Sequence, residues 1–143
     1  MALTKSVLRL TQTEAVVKIA GNGGSATVDL QTDLLASTEA LASGNQTVTI
    51  TAVRHGGENS NTLTITRNGV RVLTLPTETA DYIAFDGQEL PPENTESTSD
   101  IVVAQTGTGY VELYLKLRKV SGYDTKIETG AFGIKDDTTV VGS

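Results

Sequence analysis

Cysteine and tryptophan are absent from the 143 residues, histidine occurs once and proline three times. Without cysteine the chain has no disulfide, no cysteine-ligated zinc and no thiol nucleophile, and its redox compartment stays open. Aromatic residues make up only 4%, so valine, isoleucine, leucine and alanine must supply most of the core. A chain of this length buries roughly two-thirds of its unfolded surface. It therefore needs neither a metal nor a cofactor to fold, and we expect none.

Long apolar runs are also missing, so no segment has the length and hydropathy of a membrane-spanning helix. The first residues lack the pattern of a signal peptide, which predicts synthesis in the cytoplasm and no membrane partner. The chain has 17 acidic and 11 basic residues, for a formal net charge of -6. Because nucleic-acid binding normally depends on a basic surface, this balance argues against a nucleic-acid partner.

Catalytic patterns are scarce as well. His55 precedes Gly56-Gly57 and is predicted in a loop, where a structural or solvated histidine is more common than a catalytic one. The chain has no Gly-x-Ser-x-Gly motif and no EF-hand run. Segment 21–24 is rich in glycine, but a phosphate-binding loop needs a helix after it, and a strand is predicted there. The carboxylates of segment 87–99 show no diagnostic spacing, so we expect that the protein is not an enzyme.

The most abundant pattern is an apolar period of two, which predicts β-strands. Turn residues separate the strands, and hairpins are predicted across 21–24 and 106–109. For segment 32–43 the pattern allows two alternatives, a short helix or an irregular connection. The expected strands are 15–20, 25–30, 46–53, 62–67, 70–75, 81–85, 101–104 and 110–120.

Asn68-Gly69 is the clearest turn signal in the chain. Both residues tolerate the positive φ angles of a type I′ turn, whose twist matches paired strands. In a hairpin with this two-residue turn, Ile65 faces the same side as Val72.

Seven or eight short strands with frequent turns predict an all-β fold, a single antiparallel β-sandwich of jelly-roll or immunoglobulin-like topology. We assign residues 1–12 to an N-terminal arm or lead-in strand and residues 13–120 to the sandwich. Residues 121–143 are predicted to form a C-terminal arm.

The last predicted strand carries the candidate contact residues. Tyr110, Tyr114, Lys116 and Arg118 alternate along it and are predicted to share its polar face, and Tyr123 follows. Tyrosine and arginine are enriched at protein interfaces, so these five residues are predicted to contact a partner. The alternative is a solvated sheet face.

Five segments are distinctive in their wording: ALTKSVLRLTQTEAVVKI at 2–19, DLQTDLLAST at 29–38, ITRN at 65–68, NTESTSDI at 94–101 and LKLRKVSGY at 115–123. These segments resemble small virion structural proteins of tailed phages, especially cyanophages. The resemblance supplies no catalytic residues. It implies a copy-rich virion component, made in the host cytoplasm.

Three functions follow from the resemblance and the residues together. The first is a capsid decoration or cement subunit on the outside of the head, which binds the major capsid protein or other virion proteins. Such a subunit is expected to be a homo-oligomer, and a trimer would suit local three-fold positions. The second is a neck, tail or fibre-associated protein of the same particle. The third is a carbohydrate-binding adhesin, for which the exposed aromatic candidates are Tyr82, Phe85, Tyr110 and Tyr114.

Overall fold

The structure, a computed structural model, describes residues 2–42, 46–77, 80–85, 98–126 and 140–141, with the backbone alone for 125–126 and 140–141. The described residues form β-strands and no α-helix, which confirms the all-β prediction. The strands are β1 (Thr4–Leu10), β2 (Glu14–Gly21), β3 (Ser25–Val28), β4 (Glu39–Leu41), β5 (Thr47–Gly57), β6 (Thr62–Arg67), β7 (Val70–Pro76), β8 (Asp81–Ala84), β9 (Ile101–Thr106), β10 (Val111–Ser121), β11 (Tyr123–Lys126) and β12 (Val140–Val141).

Nine of these strands form two antiparallel sheets that enclose one hydrophobic core. The larger sheet has the order β1-β2-β10-β5-β8, in which β1 extends the β2 edge, and the smaller has the order β3-β9-β6-β7. Along the chain β2 leads to β3, β5 to β6, β7 to β8 and β9 to β10, and each of these steps changes sheet. This connectivity is that of a jelly roll, one of the two sandwich topologies expected. A small third sheet joins β12, β11 and β4.

These four connections lie at the same end of the sandwich, as the strand registers require. Segments 21–24 and 106–109 therefore connect different sheets, and the hairpins predicted there are wrong. Their polar groups bind each other: Asn22 Oδ1 accepts a hydrogen bond from the Gly109 amide at 3.0 Å. Gln105, near the end of β9, donates from Nε2 to the Gly109 carbonyl at 2.9 Å and accepts from the Gly23 amide through Oε1 at 2.5 Å. Both connections are thus fixed against one another.

The hairpin of β6 and β7 is confirmed, but its register differs from the prediction. Asn68 and Gly69 have φ angles of 53° and 73°, as a type I′ turn requires. A register shift follows Ile65, which pairs with Leu73 instead of Val72. One extra residue in β7 thus forms a β-bulge. The residues of the turn do not indicate where such a bulge occurs.

His55 lies inside β5 rather than in a loop, and it is only 4% exposed. The strand continues to Gly57 because β10 supplies backbone partners as far as Val111. A register shift near Thr51 precedes it, since Ile50 pairs with Leu117 whereas Ala52 pairs with Lys116. The bulge moves His55 to the core side of the sheet.

The predicted arms are partly built into the fold. Residues 4–10 form the edge strand β1, and β11 pairs with β4. Segment 32–43 contains turns and β4 in its described part, without a helix. Residues 127–139 and 142–143 of the predicted C-terminal arm, and residues 87–97 of the predicted loop, lie outside the described residues.

A chain of buried polar groups connects the small sheet to the sandwich. Lys119 Nζ lies 2.5 Å from Glu39 Oε1, with both side chains almost fully buried, and 4.3 Å from the ring centre of Tyr123. The Tyr123 hydroxyl donates to the Leu30 carbonyl at 2.6 Å. Burial, and then the Glu39 carboxylate, raises the pKa of Tyr123, so its hydroxyl is a neutral donor.

Arg67 is the largest polar side chain in the interior and has no exposed surface. Its Nε and Nη2 donate to the Ser99 carbonyl at 3.0 and 2.6 Å, and Nη1 donates to the Val48 carbonyl at 2.5 Å. Burial lowers the pKa of Arg67 to about 10, which leaves it charged at neutral pH. The guanidinium thus bridges β5 and the segment that enters β9.

Candidate functional site

Four side chains lie directly opposite one another across the larger sheet. Lys18 of β2 pairs with Tyr114 of β10, Tyr114 with Arg54 of β5, and Arg54 with Tyr82 of β8. Directly opposite residues point to the same face of an antiparallel sheet. Their neighbours Ile19, Val53, Leu113 and Leu115 are buried, so the four residues lie on the outer face. We call them the tyrosine–cation row.

Cations and aromatic rings alternate along this row. Lys18 Nζ is 5.7 Å from the centre of the Tyr114 ring, and the Arg54 guanidinium is 5.9 Å from that of Tyr82. Both distances fall within the range of cation–π attraction. Tyr82 is nevertheless 54% exposed, so most of its ring is open to a partner.

A shallow groove of about 560 Å³ runs beside the row. The floor of the groove is low because the short side chains of Val16 and Ala52 occupy the next outward positions on β2 and β5, and both residues pair with Lys116 of β10. The groove is lined by Val16, Ala52, Val53, Arg54, Tyr82, Glu112, Tyr114 and Lys116.

Glu112 is the one carboxylate among the lining residues. Its Oε2 is 3.9 Å from Lys18 Nζ and accepts a hydrogen bond from the Tyr110 hydroxyl at 3.2 Å. Partial desolvation, and then Glu112, raises the pKa of Tyr110. The Glu112 carboxylate neutralises the positive charge of Lys18. The remaining positive charge of the groove is that of Arg54 and Lys116.

The predicted contact residues are distributed unevenly around this groove. Tyr114 and Lys116 line it, and Tyr110 lies at its margin through the bond to Glu112. Arg118 is exposed on the same side of β10 but lies outside the lining, opposite Glu14 and Thr49.

Tyr123 does not lie on this face. It is 7% exposed and belongs to the hydrophobic core. Lys119, which continues the basic run of β10, is also buried. Strand alternation explains Lys119, because it has the parity of the inward-facing Leu117.

Sequence reasoning named Tyr82 and Tyr114 together as carbohydrate-binding candidates but did not group Arg54 and Lys18 with them. Strict alternation from Val48 and Ile50 turns Arg54 toward the core, and only the bulge at Thr51 turns it outward. The arrangement of four strands side by side was also not readable from local patterns. Phe85, considered for carbohydrate stacking, packs against the core instead.

A second concavity, of about 530 Å³, is polar and lies near the turn after β3. Its two carboxylates are already bound: Asp29 Oδ1 accepts from the amides of Gln31 and Thr32, and Asp100 Oδ1 accepts from the Leu30 amide. The backbone hydrogen bonds from Gln31 and Thr32 lower the pKa of Asp29. These groups shape the turn and connect it to β9.

Within the residues that the structure describes, no group of three or more histidine, aspartate or glutamate side chains is placed to hold a metal ion. The described part of the chain also contains no helix long and apolar enough to cross a membrane.

No protein-family model matches the sequence, and no curated protein is significantly similar to it.

Proposed function

We propose that this chain is a structural protein of a tailed-phage virion and that it decorates the outer surface of the head. The observation that carries the proposal is the resemblance of its segments, from 2–19 to 115–123, to small virion proteins of tailed phages. The jelly-roll fold agrees with this role, since it recurs in viral capsid domains. Because folds host many functions, the agreement is one of fold alone.

The tyrosine–cation row supports a docking role for the larger sheet. Four neighbouring strands fix its backbone positions, so the backbone needs no ordering when a partner binds. Tyrosine and arginine are the residue types that most often dominate binding energy at interfaces. Tyr114 and Lys116 are therefore the central contacts to the major capsid protein, with Tyr110 and Arg118 at the margin.

The edge strand β1 offers a second contact. All but the last of its residues are exposed, including Leu8 at 55% and Val7 at 38%. An exposed edge with apolar side chains is able to add a strand from a neighbouring subunit. Many copies on one particle then combine individually weak contacts through multivalency.

Quantitative mass spectrometry of purified virions tests the proposal. The copy number of this chain is measured relative to the major capsid protein. We expect about one copy per capsid subunit, or a simple fixed fraction of that number. A chain missing from purified particles contradicts the whole proposal.

The same measurement separates the head from the neck and tail. A ratio lower by an order of magnitude or more moves the protein to the neck, tail or fibre. Cryo-electron microscopy of the particle then locates it directly.

A carbohydrate-binding adhesin is the second candidate function, and the groove is the observation that favours it. The exposed Tyr82 and the half-buried Tyr114 both line a concavity of ligand size. A glycan array with the purified chain tests it. Hits that disappear in Tyr82→Ala support the adhesin, and an array without hits removes it.

A further inference from the structure

We propose that the tyrosine–cation row and its groove receive an acidic, extended segment of a neighbouring virion protein. The inference rests on the proposed function and adds the chemistry of the partner. It follows from the charge, the shape and the residue types of the groove.

The charge of the groove is opposite to that of the chain. The chain has a formal net charge of -6, yet Arg54, Lys116 and Lys18 surround a groove whose one acidic lining residue is Glu112. Glu112 is occupied by Lys18 and the Tyr110 hydroxyl. Among the described residues no carboxylate forms a salt bridge with Arg54 or Lys116. A partner with carboxylates at these two positions supplies the missing counter-charge.

The shape suits a narrow segment that crosses the strands. The row spans four adjacent strands, which is about 14 Å at the usual strand spacing. An extended segment of roughly four or five residues covers that length. The low floor at Val16 and Ala52 admits its side chains, while Tyr114 and Lys116 form the wall on one strand.

The residue types specify how the segment is held. The Arg54 guanidinium is able to donate two parallel N–H···O bonds to one carboxylate, and such charged bonds are stronger than neutral hydrogen bonds. Tyr82 and Tyr114 provide apolar area with few rotamers to lose. Because Arg54 and Lys116 are exposed, the attraction is screened by salt, and binding is expected to weaken as ionic strength rises.

Arg54→Glu tests the inference, with Arg71→Glu as its matched control. Arg71 is exposed on β7 of the other sheet, and both replacements change the net charge equally. Each purified variant is added to head particles from which the native chain has been removed, and the Kd is measured at low and high salt. We expect at least tenfold weaker binding for Arg54→Glu, a smaller loss for Arg54→Gln, and a change within twofold for Arg71→Glu. Circular dichroism checks that each variant is folded.

The outcomes separate the inference from the proposed function. If the wild-type chain binds particles and Arg54→Glu binds equally well, the acidic segment is refuted while the virion role stands. If the wild-type chain does not bind particles at all, the virion role and the inference both fall. Binding to a glycan array that requires Tyr82 and Arg54 assigns the groove to a carbohydrate and overturns the inference.

Carbodiimide cross-linking of intact particles identifies the partner segment. The reagent joins an amine to a carboxylate that it touches, so Lys116 is expected to form cross-links to aspartate or glutamate residues of another virion protein. The Lys5–Asp33 pair, at 2.5 Å, is an internal control that must react in every sample. Cross-linking at Lys5 without any intermolecular product at Lys116 contradicts an acidic segment in the groove.

Discussion

Lys119 is a charged side chain that lies in the interior although its sequence neighbour on β10, Arg118, is exposed. It lies at an inward position of β10, so its charge is buried beside Glu39 and the Tyr123 ring. Burial lowers the pKa of Lys119, while the hydrogen bond to Glu39 opposes that effect. Its Nζ also donates to the Thr11 carbonyl at 2.9 Å, so the ammonium group connects β4, β10 and the turn before β2.

Replacing Lys119 with methionine is predicted to destabilise the protein by about 3–5 kcal/mol, because Glu39 is left as an uncompensated buried charge. Urea denaturation followed by circular dichroism measures the loss. Lys116→Met, on the exposed side of the same strand, is the control and is expected to change stability by less than about 0.5 kcal/mol.

The double variant Glu39→Leu/Lys119→Met tests the cause of that loss. With both charges removed, its destabilisation is expected to be smaller than the sum of the two single changes, as for other coupled buried pairs. Additive losses contradict a direct interaction between the two groups.

At the level of elements, the Asn68-Gly69 turn was predictable because its conformation is encoded in two adjacent residues. The bulge that follows Ile65 was not, since it depends on which residues of β7 pack against the core. The same distinction governs the candidate site. Alternation along β10 placed Tyr114 and Lys116 on one face correctly, whereas the bulge at Thr51 concealed Arg54.

Alanine substitutions at Gly69 and Gly21 distinguish the cost of backbone strain from the cost of a steric clash. Gly69 has a φ angle of 73° and nothing within 4 Å of an added Cβ, whereas at Gly21, with φ 143°, an added Cβ meets the Ala2 carbonyl and Leu3 Cα. Gly69→Ala is predicted to cost about 1–2 kcal/mol from its left-handed conformation alone. Gly21→Ala is predicted to cost about 2–5 kcal/mol, because it also displaces the start of β1. Chemical denaturation compares the two, and equal losses contradict the packing role of Gly21.

For the whole molecule, local patterns established the strands but not which strands are neighbours. A glycine-rich connection between two strands has the same local pattern whether the strands pair or pass to opposite sheets. The choice depends on distant partners: β10 pairs with β2 near the start of the chain and with β5 in its middle. Such pairings have large sequence separation, so turn residues carry no information about them. For the same reason Tyr123 was assigned to an arm although its ring completes the core.

The position of Tyr123 leads to a prediction for the whole fold. The core cluster includes residues of both main sheets together with Tyr123, so a chain that ends at Gly122 is predicted to lose about 3–5 kcal/mol of stability. Tyr123→Ala in the full-length chain is expected to lose a similar amount, which assigns the effect to the ring and its bond to Leu30. Because one core joins the sheets, each variant still unfolds in a single transition, with circular dichroism and tyrosine fluorescence coinciding. If residues from 121 onward were only an arm, both variants would unfold at the wild-type urea concentration.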